Sequence, residues 1–317
     1  LISIGTNSTR LLILAGEGVI VAQSVGTRLG RGLGSDGHLD PAARAHTLDV
    51  IGEYTAAVAQ HRATLDVIAT SAVRRASDAA AFADAVEAIS GVALRIISGD
   101  EEAAYSFAGA TWGSTSHGRI GVLDVGGGST ELAVGTPATI DRTISLEIGA
   151  VRLSERHPAL LGEHALDATA RAVLIEQTRA DVDAILAPLS SFAPIDDLLA
   201  VGGTVFTAAA IVAGDPQRDG VRLERAAREA LIDDLLARDL AGRRSIPSIR
   251  PQRADILVAG LIIVHVACER LGIDALRVSH ADLLAGYLRS PAYRAFATPR
   301  RDKEDRARPK SNTPAMG

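Results

Sequence analysis

Apolar and polar residues alternate from Leu1 to about Val25, interrupted by polar turns at Gly5–Ser8 and near Gly16–Gly18. A period of two is the pattern of half-buried strands, so the chain is expected to open on paired strands. From Pro41 to about His61 the apolar spacing becomes helical, and Asp40 before Pro41 is a favourable helix start. DVIATSAVRRASD reads as a strand, a polar loop and an Ala-rich helix. VALRIISGDEEAAYSFAGATW reads as a strand, a turn at Ser98–Gly99 and a helix opening on acids, which suit the positive end of a helix dipole. GSTSHGR (113–119) is small, polar and turn-forming, the expected domain boundary. Beyond it helices are expected near 163–188, 223–241 and 251–272, with a strand at DDLLAVGG running into a further helix. LRVSHADLLAGYL reads as a last strand, loop and helix. The charged tail TPRRDKEDRARPKSNTPAMG has almost no apolar residues and is expected to be disordered.

The pattern repeats itself. LISIGTNSTRLLIL at Leu1 returns as VLDVGGGSTELAV at Val122, and an offset of 121 positions places Ser3 on Asp124, Gly5 on Gly126 and Ser8 on Ser129. Both copies read as strand, glycine turn, strand, but the second alone carries a carboxylate just before its turn.

Composition narrows the class. A chain of 317 residues suffices for two domains with separate cores. Nearly half its residues are apolar and few are aromatic, so the cores are built of Ala, Val, Leu and Ile. A net charge of −5 gives no general attraction to nucleic acid or acidic membrane. The single cysteine, Cys268, lies in an apolar run and is expected to be buried and reduced, in keeping with a cytoplasmic protein. No signal peptide is visible, and the start inside a strand without Met suggests that N-terminal residues are missing. The apolar run LLAVGGTVFTAAAIVAG is short for a membrane span and broken by Gly-Gly-Thr.

The glycine turns are the candidate chemistry. P-loops and dinucleotide turns lead into helices, whereas GGGST leads into the strand-like ELAVG, with no P-loop Lys and no GxGxxG. Successive N–H groups at a glycine hairpin tip still form an anion nest. A plain hairpin turn would look alike in isolation. Two matching hairpins, one opening each half, favour phosphate binding by Gly5, Thr6, Asn7 and Ser8 and by Gly126, Gly127, Gly128 and Ser129. A third turn, VGGTVFTAAAI, places Gly202, Gly203 and Thr204 at a helix N-terminus, for an anion or for tight strand–helix packing. Glu101 and Glu102 are adjacent at a helix start and point about 100° apart, so one faces any cleft.

Two domains that each open on a phosphate tip suggest a cleft gripping a polyanion from both sides. This layout resembles the actin, Hsp70 and sugar-kinase superfamily. Within it the chain resembles the exopolyphosphatase / guanosine pentaphosphate phosphohydrolase (Ppx/GppA) family. The resemblance runs through about Arg289 and rests on IGTNSTRLLI, TRLGRGL, ATSAVRRA, IISGDEEA, LDVGGGSTEL, IGAVRL, VGGT and VSHADLLAGYL. SGDEEA followed by DVGGGSTE is its most specific element. It implies an α/β fold of two ribonuclease-H-like (actin-like ATPase) domains, mixed sheets flanked by helices around an interdomain cleft. Domain limits of 1–114 and 115–297 follow, the last helix packing back on the first domain, with 298–317 as the tail. The chain ends before the HD-type domain of the long members could begin, so the short two-domain form is expected.

The resemblance also implies an activity: hydrolysis of the terminal phosphoanhydride of inorganic polyphosphate, or of guanosine pentaphosphate. It makes Glu102 the water-activating carboxylate and Arg74 the guanidinium near the scissile phosphate, with Arg75 facing solvent. It makes Asp124 and Glu131 the metal carboxylates, for Mg²⁺ or alternatively Mn²⁺. Arg28 and Arg31 are candidates to line a polyphosphate path, and His117, His265 and His280 read as structural. The expected partners are polyphosphate or guanosine penta- or tetraphosphate, without nucleic acid or membrane, and with a homodimer as an open option.

Two positions depart from the family pattern. Ser3 stands where the family has Asp, and Ala285 stands where relatives tend to have Arg before Gly286. They leave open a non-catalytic binder of polyphosphate or guanosine tetraphosphate built on the same scaffold. A sugar or acetate kinase of the superfamily fits SGDEEA poorly.

Overall fold

The repeat seen in the pattern is a repeat of topology. The computed structural model describes residues 1–290 apart from 17, 34–36 and 116–117. His117 and the expected tail at 298–317 lie outside the described residues. The first half runs β1 (Ile2–Ile4), β2 (Thr9–Ala15), β3 (Gly18–Val25), α1 (Pro41–Gln60), β4 (Val67–Ala69), α2 (Ser71–Arg75), α3 (Ala79–Ser90), β5 (Leu94–Ile96) and α4 (Gly99–Ala110). The second runs β6 (Ile120–Val125), β7 (Thr130–Thr136), β8 (Thr139–Leu146), α5 (Ala150–Arg156), α6 (Ala168–Leu186), β9 (Asp197–Val201), α7 (Gly203–Ala213), β10 (Arg222–Glu224), α8 (Arg225–Leu236), α9 (Leu240–Arg244), α10 (Leu257–Leu271), β11 (Ala275–Val278) and α11 (Leu283–Arg289).

Among the described residues the strands form a five-stranded sheet, ordered β3-β2-β1-β4-β5, and a six-stranded sheet, ordered β10-β11-β9-β6-β7-β8. In the first, β1, β2 and β3 are antiparallel neighbours, and β4 and β5 run parallel to β1. In the second, β6, β7 and β8 with the parallel β9 and β11 repeat that arrangement. The extra strand β10 is antiparallel at the edge beside β11. It takes the start of a stretch expected to be helical from 223: Arg222–Glu224 pair with β11, and the helix begins only at Arg225. The mixed sheets flanked by helices are the expected α/β architecture.

Alternation along β6 explains how the site is placed. Leu123 and Val125 face the large core shared with α6, α7 and α10, whereas Ile120 and Val122 face Ala103 and Phe107 of α4. Asp124 continues the α4 face by period two. In the first sheet Ile2, Ile4, Leu11 and Ile13 point to the α1–α3 core. Leu1 and Ile68 point the other way, toward Leu283, Leu284 and Tyr287 of α11. Ser3 shares that second face.

The terminal helices are therefore exchanged. The last helix of the first half, α4, covers the second sheet, while α11 covers the first. The turn-rich stretch 113–119 follows α4, so the helix that precedes it in sequence packs beyond it in space. The two helices cross where a Cβ on Gly286 would lie 1.9 Å from the Tyr105 carbonyl oxygen.

Candidate functional site

The two hairpin tips adopt the same turn and meet. Gly5 N donates to Ser8 O and Gly126 N to Ser129 O, both at 3.0 Å. A Cβ on Gly127 would lie 3.0 Å from the Thr6 Cβ, and one on Gly128 2.6 Å from Thr6 Oγ1 and 2.7 Å from Ser71 Oγ. These glycines let the tips approach as no other residue could. Ala150 N and Val151 N, at the start of α5, donate to Gly126 O and Gly127 O at 2.9 Å. The tip's carbonyls are thereby tied to the helix, so donors rather than acceptors remain at the tip.

A cavity of about 650 Å³ opens at this junction. Its wall includes both tips from Gly5 to Ser8 and from Gly126 to Ser129, together with Glu102, Asp124 and Gly202 to Thr204. Gly202 has φ 96°, and a Cβ there would also lie 2.9 Å from Asp124 Oδ1. Thr6 Oγ1 and Ser71 Oγ are buried without a hydrogen-bond partner. Buried hydroxyls without partners are costly, and at a cavity wall they mark where a ligand oxygen would be accommodated.

Three carboxylates converge beside the tips. Glu101 closes a capping box with Ser98 and pairs with Arg95, leaving Glu102 as the inward-facing acid of α4. Asp124 and Glu131 stand opposite each other on β6 and β7. Glu131, whose sequence would equally suit an exposed strand, is 1% exposed. Ser106 Oγ donates to Asp124 Oδ2 at 2.7 Å and Ser145 Oγ to Glu131 Oε1 at 2.7 Å, while Glu131 Oε2 is buried without a partner. Burial first, then the Asp124 charge, pushes the Glu102 carboxyl up to about 7, against the pull of Arg74. Burial pushes Asp124 up to about 6, the Ser106 hydrogen bond opposing it. Burial, with the Glu102 and Asp124 charges, raises Glu131 well above its ordinary value.

Arg74 and Glu131 belong to this cluster without lining the cavity. Arg74 Nη1 donates to Ile97 O at 2.9 Å and to Glu102 Oε2 at 3.3 Å, and its Nη2 is buried without a partner. Arg75 reaches the exposed Glu147 at 3.5 Å.

Arg28 and Arg31 line a small pocket that adjoins the cavity and shares Asn7 and Ile256 with it. Arg28 is engaged with Asp255 at 2.9 and 3.1 Å, and Gly32 N donates to Glu155 Oε1 at 2.7 Å, so this loop fastens the first half to the second. His280 packs edge-on against Phe206 and lines the cavity, whereas His265 is buried and contacts Arg179.

Sequence reasoning missed the cavity's cations. Arg10, Arg250 and Arg253 all line the wall. The Arg253 guanidinium lies over the N-terminus of α7, where a Cβ on Gly203 would meet its Cζ at 1.9 Å. Burial and the charges of Arg10 and Arg250 lower the Arg253 pKa to about 10. A half-buried cation repelled by two others, beside a helix N-terminus, is electrostatically suited to an anion. The sequence offers only PQRADIL, whose short turn shows nothing until it meets VGGT in space.

Among the described residues no group of three or more His, Cys, Asp or Glu side chains is arranged to enclose a metal ion. A cation here would share its shell with ligand oxygens and water, the usual habit of Mg²⁺. Glu131 Oε2, buried and unpaired among two other acids, fits such an ion. Among the same residues no helix is long and apolar enough to cross a membrane, and burial pushes the Cys268 thiol up to about 11.

Known proteins resemble this chain in sequence and fold. The model of the Ppx/GppA phosphatase family matches residues 15–292. Exopolyphosphatase 2 of Mycobacterium tuberculosis is 32% identical over 316 positions, covering 90% of this chain and 95% of that protein. The guanosine-5'-triphosphate,3'-diphosphate pyrophosphatase of Pseudoalteromonas atlantica is 29% identical over 231 positions, covering 72% of this chain and 44% of that longer protein. Among crystal structures, an exopolyphosphatase-like protein superposes with TM-score 0.82 at 29% identity, over 93% of this chain and 98% of its own. The Aquifex aeolicus PPX-GPPA enzyme gives 0.74 at 26%, over 90% and 97%.

Proposed function

This chain belongs to the Ppx/GppA phosphatase family, and from that premise we propose that it removes terminal orthophosphate from inorganic polyphosphate, with guanosine pentaphosphate as a second substrate. The observation that carries the reading is Glu102: a buried carboxylate at the cavity wall, held by Arg74 and raised to about 7. A base near the working pH is matched to taking a proton from water.

In this reading the terminal phosphoryl lies between the tips. Backbone N–H groups of Thr6–Ser8 and Gly127–Ser129, left free by the turn bonds of Gly5 N and Gly126 N, donate to its oxygens together with Thr6 Oγ1 and Ser71 Oγ. Arg253 and the α7 N-terminus hold the phosphates behind it. Water attacks the terminal phosphorus in line, its proton passes to Glu102, and the bridging P–O bond breaks. Orthophosphate and the shortened anion leave. Asp124 and Glu131 would hold Mg²⁺, or Mn²⁺ in its place, which supplies charge neutralisation at the phosphate oxygens when bound. We place the enzyme in the cytoplasm, the compartment its buried thiol suits.

The test is phosphate release from long-chain polyphosphate and from guanosine pentaphosphate with Mg²⁺, comparing wild type with Glu102→Gln. Loss of about 10²–10⁴-fold is expected for a removed general base; a rate that survives the change would remove Glu102 from the mechanism. One observation favours a second reading, a polyphosphate or guanosine tetraphosphate sensor of weak turnover: Ser3 is buried at the position matching Asp124 and brings no charge. That reading predicts ligand binding with negligible turnover in wild type, and turnover gained in Ser3→Asp.

A further inference from the structure

The two hairpins carry opposite charge at matched positions. In the second, the paired positions of β6 and β7 hold Asp124 and Glu131. In the first, the paired positions of β1 and β2 hold Ser3 and Arg10. Each pair faces the opening of an exchanged helix. Asp124 and Glu131 meet Glu102 of α4, acid against acid. Arg10 meets Asp282, the N-cap of α11, with Nη2 2.6 Å from Oδ2.

Asp282 is 3% exposed and lines the cavity, as does Arg10. Its Oδ1 accepts from Leu284 N at 3.1 Å, the capping bond. Its Oδ2 is close to Arg10 but finds no donor at hydrogen-bonding angle. The contact is thus a charge pair without directed bonding. Arg10 keeps donors for an incoming oxyanion, and a phosphate that accepts two of them would be the better partner.

We propose that Asp282 is a specificity-determining residue, a built-in counter-anion that holds Arg10 neutralised and that phosphate must displace. The proposal rests on the reading of the cavity as a phosphoanhydride site. Its consequence is selective. A ligand able to engage only one arginine gains little by displacing Asp282. A longer polyanion spanning Arg253 and Arg10 recovers the loss through its second contact. Removing the acid therefore relaxes discrimination against short anions. The Asp282 charge also raises Asp124 across the cavity, as expected if both carboxylates face one space.

Asparagine caps helices about as well as aspartate, so Asp282→Asn removes the charge and keeps the cap. The experiment is calorimetric titration of tripolyphosphate and of orthophosphate in Mg²⁺-free buffer with chelator. Wild type, Asp282→Asn, Arg10→Gln and the double variant are compared, each checked by thermal melting. Asp282→Asn is expected to bind orthophosphate roughly fivefold more tightly, the scale of one part-exposed charge pair, with a smaller gain for tripolyphosphate. Arg10→Gln should cost orthophosphate binding little in the wild-type background, weaken tripolyphosphate, and abolish the orthophosphate gain in the Asp282→Asn background. Unchanged or weaker orthophosphate binding by Asp282→Asn, or a gain that persists in the double variant, would overturn the proposal. Wild type that neither binds tripolyphosphate nor releases phosphate would instead overturn the functional reading beneath it.

Discussion

Gly286 of α11 and Tyr105 of α4 lie in direct backbone contact, a Cβ on the glycine falling 1.9 Å from the tyrosine carbonyl oxygen. On the facing side, a Cβ on Gly109 would lie 2.1 Å from Asp282 O. Neither obstacle is a flexible side-chain end, so adding a methyl group must separate the helices. Gly286→Ala is expected to cost about 1–3 kcal/mol, as overpacking does. The check is a lower denaturant midpoint at unchanged slope. Because α4 carries Glu102, phosphate release per folded molecule should fall as well.

Ser71 and Thr6 separate binding from stability. Their hydroxyls are buried without partners. Ser71→Ala and Thr6→Val are expected to leave the melting temperature of the ligand-free protein unchanged or raised, since no bond is lost. Anion binding should weaken roughly tenfold for each, the worth of a hydrogen bond to a charged group. A fall in melting temperature with binding intact would assign the hydroxyls to the fold instead.

The raised carboxylates give stability an uncommon pH dependence. Glu102 moves from 4.5 to about 7 and Asp124 from 3.8 to about 6 on folding. Between those values the folded state keeps protons that the unfolded state has lost. Their contribution is thus fully present below the unfolded pKa values, falls progressively from there, and is lost once pH has risen through about 6 to 7. The melting temperature without metal should fall across that window, less steeply in Glu102→Gln, and Mg²⁺ should restore part of it. Activity has the opposite trend: kcat/KM should rise with pH through the Glu102 ionisation.

Arg28 and Asp255 tie the loop after β3 to the turn that carries Arg253. Asp255 is 6% exposed, so reversing one charge strands the other. Arg28→Asp or Asp255→Arg is expected to destabilise by about 2–4 kcal/mol, and the double reversal to recover part of the loss, as read by denaturation. Equal loss in all three would deny the pair any coupling.

Much of the site was legible as pattern. The offset repeat predicted two hairpins of one geometry because period-two alternation and glycine turns are local properties, and both tips do form the same hydrogen-bonded turn. The acidic start of α4 was equally local: Ser98 and Glu101 form a capping box, which leaves Glu102 to turn inward. Arg28 went the other way. Its sequence shows an arginine in a glycine-rich loop, but a carboxylate 227 positions further on decides its role.

By itself, the sequence determined the strands, the matched tips, the acid of the second tip and its absence from the first, since each depends on neighbours in the chain. Only the tertiary structure decided which charges meet. The exchange of α4 and α11 between sheets puts Glu102 against Asp124 and Glu131, and Asp282 against Arg10. It also places Arg253 over Gly203. Charge interactions depend on distance and burial, which chain spacing does not encode, so Ser3 alone could not show that the first tip faces an acid from elsewhere.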